Sequence, residues 1–168
     1  MNLRRLRPFD ALAGLFGAAL IGLLWAEWYS VPRQAFFSSS RPHWSGGNAW
    51  QSMAVNDVIF FIAGALGIWV LVATAMYSTA AVPIAAAAFA TFAGLLASVL
   101  ALVRLAWPPD LGPGPTHREA GVWLGALAAI GLFATAAASM RSERLGAAGS
   151  TNVPITELPA PAVRHEGT

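Results

Sequence analysis

The chain has no cysteine and no lysine. Without cysteine there is no disulfide, no thiol redox chemistry and no thiolate metal site. Without lysine, all ten basic residues are arginine, and they are scattered rather than gathered with aromatics into a basic patch. Nucleic-acid binding therefore has little support, and no nucleic-acid partner is expected. Charge of either sign is scarce. Charged residues make up 11% of the 168, where a soluble domain carries roughly a quarter.

What fills the chain instead is apolar. Hydrophobic residues reach 57% and the mean hydropathy is +0.59. Such a chain has too few polar side chains to cover an apolar core, so its surroundings must themselves be apolar. Alanine is abundant, which together with the all-arginine basic set fits a high-GC bacterial genome.

Four apolar runs are legible, at about 9–29, 54–77, 82–107 and 120–140. Each reaches the roughly 20 residues a helix needs to cross about 30 Å of hydrocarbon. The first follows Arg4, Arg5 and Arg7 and superficially looks like a secretory leader. A leader's apolar stretch is shorter, about 7–15 residues, and ends at small residues. This run ends Leu24-Trp25-Ala26-Glu27-Trp28-Tyr29, so an uncleaved helix is expected. The Arg4-Arg5 pair lacks the following residues of a twin-arginine signal. Ser78 to Ala81 alone separates runs two and three, and Pro83 suits a first helical turn. Run four follows a stretch rich in proline and glycine, and Thr116 and Glu119 have capping-box spacing. The expected division is a basic cytoplasmic tail over 1–8, a transmembrane domain over 9–144 and a disordered cytoplasmic tail over 145–168. The fold class is all-α, an integral membrane four-helix bundle running up-down-up-down.

Orientation follows from arginine near the helix ends, because basic loops stay cytoplasmic. Arg4, Arg5 and Arg7 flank the first run, and Arg141 and Arg144 follow the last. Arg33, Arg41, Arg104 and Arg118 fall on the other side. Even helix number puts both termini together, and the first basic flank places them in the cytoplasm of a multi-pass cell-membrane protein. Trp25, Trp28, Tyr29, Trp44, Trp50, Trp107 and Trp123 gather at the outer boundary, as an interfacial belt or a ligand-facing cluster; Trp69 lies toward the inner half.

Lipid tails are as apolar as leucine, so helices in a membrane associate mainly through close packing of small residues. Stripes suited to this are Gly14, Ala18, Gly22; Ala63, Gly67; Ala86, Ala90, Gly94, Ser98; and Gly121, Gly125, Ala129. They serve packing within the bundle or a face for a second copy or another membrane protein.

Charges in membrane helices are costly and often functional. At about 1.5 Å per residue, Arg7 to Glu27, Tyr77 back to Asp57, Pro83 to Arg104 and Arg141 back to Glu119 each span roughly 30–33 Å. Glu27, Asp57, Arg104, Arg118 and Glu119 should thus share one outer layer. The readings are an ion-pair collar in which Arg104 neutralises Asp57 and Glu27, an outward polar site for a cation, headgroup or small ligand, or a catalytic carboxylate pair. Asp10, beside Arg7, suits a helix N-terminus. Between the boundary layers there is no ionisable residue. The hydroxyls of Thr74, Thr91, Ser98 and Thr135 are expected to bond back to their own helices. His43 and His117 sit in outer loops without metal-site spacing, and no HExxH, GxSxG or phosphate-loop pattern occurs. No catalytic residue, cofactor or metal is expected.

The segments Leu24-Trp25-Ala26-Glu27-Trp28-Tyr29-Ser30, Asn48-Ala49-Trp50-Gln51-Ser52-Met53-Ala54-Val55-Asn56-Asp57-Val58, Arg104-Leu105 and Gly121-Val122-Trp123-Leu124-Gly125 occur in an order that resembles uncharacterised small four-helix transmembrane proteins of actinobacteria. Those commonly show aromatic-Pro-Trp-Tyr-Ser and Ala-Trp-Gln-Ala-Phe; this chain has Ala26-Glu27 and Ser52-Met53 at the corresponding places. The resemblance covers roughly 9–144, apart from the middle of the first loop, and implies a four-span fold without an activity. The expected role is a non-enzymatic structural or accessory component of a membrane complex, with membrane lipid and a membrane-protein partner or further copies as its company. The alternatives are an oligomeric channel or small-molecule transporter, and an enzyme acting on lipid headgroups.

Overall fold

The computed structural model describes residues 7–30, 47–53, 55–77, 81–110 and 116–149, with side chains described as far as Arg141. It is mostly helical. In chain order come α1 (Pro8–Leu23), β1 (Glu27–Ser30), β2 (Gly47–Asn48), α2 (Ala49–Ser52), α3 (Val55–Met76), α4 (Ala81–Ala106), β3 (His117–Arg118) and α5 (Ala120–Gly149). Among the described residues three helices are long and apolar enough to cross a membrane: α3, α4 and Ala120–Arg141 of α5. The basic tail Arg4-Arg5, the first-loop residues Arg33, Arg41, His43 and Trp44, and the tail from 150 lie outside the described residues. Helix α5 continues through Gly149, past the expected end near 140.

The expected first helix over 9–29 is shortened. Pro8 opens α1, where its missing N–H is no loss, but α1 stops at Leu23 after 16 residues. That is about 24 Å, less than a bilayer's hydrocarbon core. The N–H groups of Leu24, Trp25 and Ala26 close the last turn on Ile21 O, Gly22 O and Leu23 O, and partners from β1 and α2 complete the stop. The terminal carbonyls of a helix need donors. Here Trp28 Nε1 donates to Leu23 O at 2.6 Å, and Ala49 N–H of α2 donates to Leu24 O at 3.1 Å.

Helix α1 packs on α3 and α5, and α4 packs on the same two. Close approach of backbones sets the α1–α3 contact. A Cβ at Gly17 would lie 2.5 Å from Gly64 O and 3.1 Å from Gly67 Cα. The stripes expected on the second, third and fourth runs are all buried. The stripe Gly14, Ala18, Gly22 is corrected. Ala18 and Gly22 are exposed, and nothing lies within 4 Å of a Cβ built on Gly22. The buried line is Ala13, Gly14, Gly17 and Leu20. A strict four-residue step advances about 400° and so drifts about 40° off a straight contact line each time.

Inside the helices the hydroxyls close on the preceding turn. Thr74 donates to Val70 O (2.9 Å), Thr91 to Ala87 O (2.7 Å), Ser98 to Gly94 O (2.7 Å) and Thr135 to Gly131 O (2.7 Å). Large apolar side chains cover the outside, among them Leu15, Phe89, Phe92 and Leu127.

Candidate functional site: the capped end of the helices

A three-stranded antiparallel patch lies at one end of the helices, in the order β2-β1-β3. Glu27 faces Asn48, Tyr29 faces Gly47 and Arg118, and Ser30 faces His117. Each strand is too short to hold alone, so side chains tie the patch down. Asn48 caps α2 by accepting from Gln51 N–H at 3.1 Å, a common role for asparagine at a helix start.

Trp28 and Tyr29 are the anchors, and both are fully buried. This corrects the expectation that they belong to an interfacial belt. The indole of Trp28 stacks on Phe60 at 5.6 Å and occupies a slot floored by Gly125, where a Cβ would come within 2.6 Å of its Cζ2. At Gly121 a Cβ would collide with the carbonyl of Glu27. Gly121 and Gly125 of α5 thus leave the space that β1 occupies. The hydroxyl of Tyr29 donates to Arg104 O at 2.9 Å near the end of α4. Burial pushes the Tyr29 phenol up to about 12, against the opposing pull of Arg104 and Arg118. Exposed tryptophans at this end include Trp25, Trp50, Trp107 and Trp123, with Trp50 tilted between Trp25 (5.8 Å) and Phe61 (6.2 Å).

Several of the five residues singled out by depth are joined here, but not as an ion-pair collar. Arg104 reaches Asn56. In the amide orientation that satisfies both groups, Asn56 Oδ1 accepts from Arg104 Nε at 2.8 Å and Nη2 at 3.2 Å. Among the described residues no Asp57–Arg104 ion pair forms. Asp57 lies one residue on, about 100° around the helix. It is buried, and its Oδ1 accepts from Val58 N–H at 3.2 Å. Arg118 donates from Nε to Leu105 O (2.7 Å) and from Nη2 to Ala106 O (3.2 Å). It therefore caps the C-terminus of α4, where the helix dipole favours a cation. Glu119 Oε1 accepts from Ser30 Oγ at 2.5 Å, and Glu119 N–H donates to Trp28 O at 3.0 Å. The capping box of Thr116 and Glu119 does not form; Thr116 Oγ1 donates to Pro109 O at 3.2 Å instead. Glu27 is exposed on β1, and His117 is exposed on β3. Among the described residues no group of three or more histidine or carboxylate side chains is placed to hold a metal.

The opposite end carries a pair that sequence reasoning missed. Asp10, in the first turn of α1, is buried, and its Oδ1 accepts from Ser139 Oγ of α5 at 2.5 Å. Its Oδ2 is also buried and has no hydrogen-bond partner. A signal existed. Asp10 starts the first run and Ser139 ends the fourth, so alternating spans bring them to one depth.

The chain matches no family model, no curated protein and no solved structure.

Proposed function

We propose that this protein is a small multi-pass component of the cell membrane that acts by packing with another membrane protein, rather than by turning over a substrate. In this reading the short α1 and the three long apolar helices α3, α4 and α5 form an up-down-up-down bundle with both termini in the cytoplasm. The neighbour pattern of α1, α3, α4 and α5 supports it. So does the pairing of Gly14 with Leu71 and Gly17 with Gly64, which suits helices running in opposite directions. The exposed tryptophans at the capped end suit a headgroup layer, where indole rings concentrate. Kinship with the small four-helix actinobacterial proteins belongs to the same reading.

One observation carries the functional part. Apart from the exposed Glu27 and His117, the polar side chains that build the capped end bond to the chain's own structure. Arg118 and Tyr29 bond carbonyls at the end of α4, Trp28 bonds the end of α1, and Ser30 binds Glu119. This arrangement stiffens one end and leaves a broad apolar exterior, which suits a structural component. The test is crosslinking in native membranes followed by purification through a terminal tag. A specific membrane-protein partner should be recovered in constant ratio. Recovery of the tagged chain alone, with crosslinks only to lipid, would refute the accessory role.

A further inference from the structure

A cavity of about 250 Å³ opens between α4 and α5 at the end away from the sheet, lined by Thr91, Ala137, Met140 and Arg141. We propose that it is a binding site for an anionic phospholipid, with Arg141 holding the phosphate and the other three residues receiving the first part of an acyl chain. The proposal rests on the membrane reading above.

Three observations lead to it. The first is that the Arg141 cation is uncommitted among the described residues. Arg104 and Arg118 are bound to an amide and to helix-end carbonyls, and Arg7 also has a partner. Among the described residues nothing engages the Arg141 guanidinium, which is exposed. Arginine's planar fork matches the geometry of a phosphate.

The second is the graded character of the wall. Below Arg141 the lining is Ala137, Met140 and Thr91. Thr91 is apolar in effect, because its hydroxyl donates to Ala87 O at 2.7 Å and otherwise meets only Met140 Sδ, at 3.5 Å. A charged rim over an apolar floor complements a charged headgroup joined to methylenes. The flexible thioether of Met140 adapts to an irregular chain. The volume is below the range of about 300–1,000 Å³ usual for drug-sized ligands, and it suits a phosphate with a few methylenes.

The third is depth. Arg141 lies 21 residues past Ala120, a rise of about 32 Å. With Ala120 at one edge of an apolar layer about 30 Å thick, Arg141 stands at the other edge, where lipid phosphates lie.

The experiment uses the full chain in two steps. Flotation with liposomes comes first, and a chain that stays in the soluble fraction sinks the membrane reading and this site together. Native mass spectrometry of the micelle-solubilised chain follows, titrated with phosphatidylglycerol and phosphatidylcholine of matched acyl chains. Wild type should retain phosphatidylglycerol preferentially. Arg141→Ala should weaken it by about five-fold, the fold-change for one basic contact at a membrane surface, and leave phosphatidylcholine unchanged. Arg141→Lys should keep most of the preference. Ala137→Phe, which fills the floor without altering charge, should also weaken phosphatidylglycerol. A floated chain whose phosphatidylglycerol affinity is the same in wild type and Arg141→Ala overturns the site while the membrane reading stands. Equal retention of the two lipids by wild type overturns it as well.

Discussion

Replacing Gly125 with alanine tests whether the Trp28 slot holds the capped end together. The new Cβ would lie within 2.6 Å of Trp28 Cζ2 and closer still to Cη2, against an ordinary carbon contact of about 3.5–4.0 Å. The indole must retreat by about 1 Å. It has little room, because the side chain is fully buried and stacked on Phe60. Retreat also pulls Nε1 from Leu23 O, now at 2.6 Å. Overpacking costs about 1–3 kcal/mol, and losing a buried hydrogen bond adds about 1 kcal/mol. The expected loss is about 2–4 kcal/mol. Gly22→Ala is the matched control, since open space surrounds it; its change should stay within about 0.5 kcal/mol. Unfolding by denaturing detergent, followed by circular dichroism in micelles, gives both values. Adding Trp28→Phe to Gly125→Ala should recover more than about 1 kcal/mol relative to the sum of the single changes, as expected for residues in contact. If Gly125→Ala and Gly22→Ala prove equally benign, the slot is not a fixed part of the fold.

Three further outcomes are expected. Ser139→Ala leaves both Asp10 oxygens without the α5 donor and should cost about 1–3 kcal/mol, read by the same unfolding assay; Ser139→Thr, which keeps a hydroxyl, should cost less. The Tyr29 phenol, held up to about 12 from a free value of about 10, keeps its proton more tightly folded than unfolded. Stability from this group is therefore complete below pH about 10 and falls as pH rises toward about 12; an absorbance titration of tyrosinate, compared between wild type and Tyr29→Phe, checks it. The absence of cysteine makes sided labelling direct. Under the proposed topology, Ser52→Cys in intact cells should react with an impermeant maleimide, and Arg141→Cys should react only after lysis; labelling of both from outside would refute the shared cytoplasmic placement of the termini.

Much of the fold was readable because its signals are local. Long apolar runs fix where helices α3, α4 and α5 lie, since few alternatives bury that much apolar surface. The back-bonding of Thr74, Thr91, Ser98 and Thr135 was equally readable, because each depends only on the preceding turn. The depth argument placed Arg104, Arg118 and Glu119 at one end, because rise per residue is nearly constant. It did not give their partners. Partner choice depends on angle around the helix axis, and one residue of difference separates Asn56, which meets Arg104, from Asp57, which does not. The same limit hid the burial of Asp10 against Ser139, 129 positions away.

The sequence by itself determined the apolar exterior and the positions of the three long apolar helices α3, α4 and α5, because hydropathy and length are properties of a stretch, independent of its neighbours. Only the tertiary structure decided where α1 ends and what β1 does. The carbonyls at Leu23 and Leu24 are satisfied by an indole from β1 and an amide from α2. Trp28 leaves the boundary for the interior because two glycines on α5, nearly a hundred residues away, make room for it, and Tyr29 follows by bonding the end of α4.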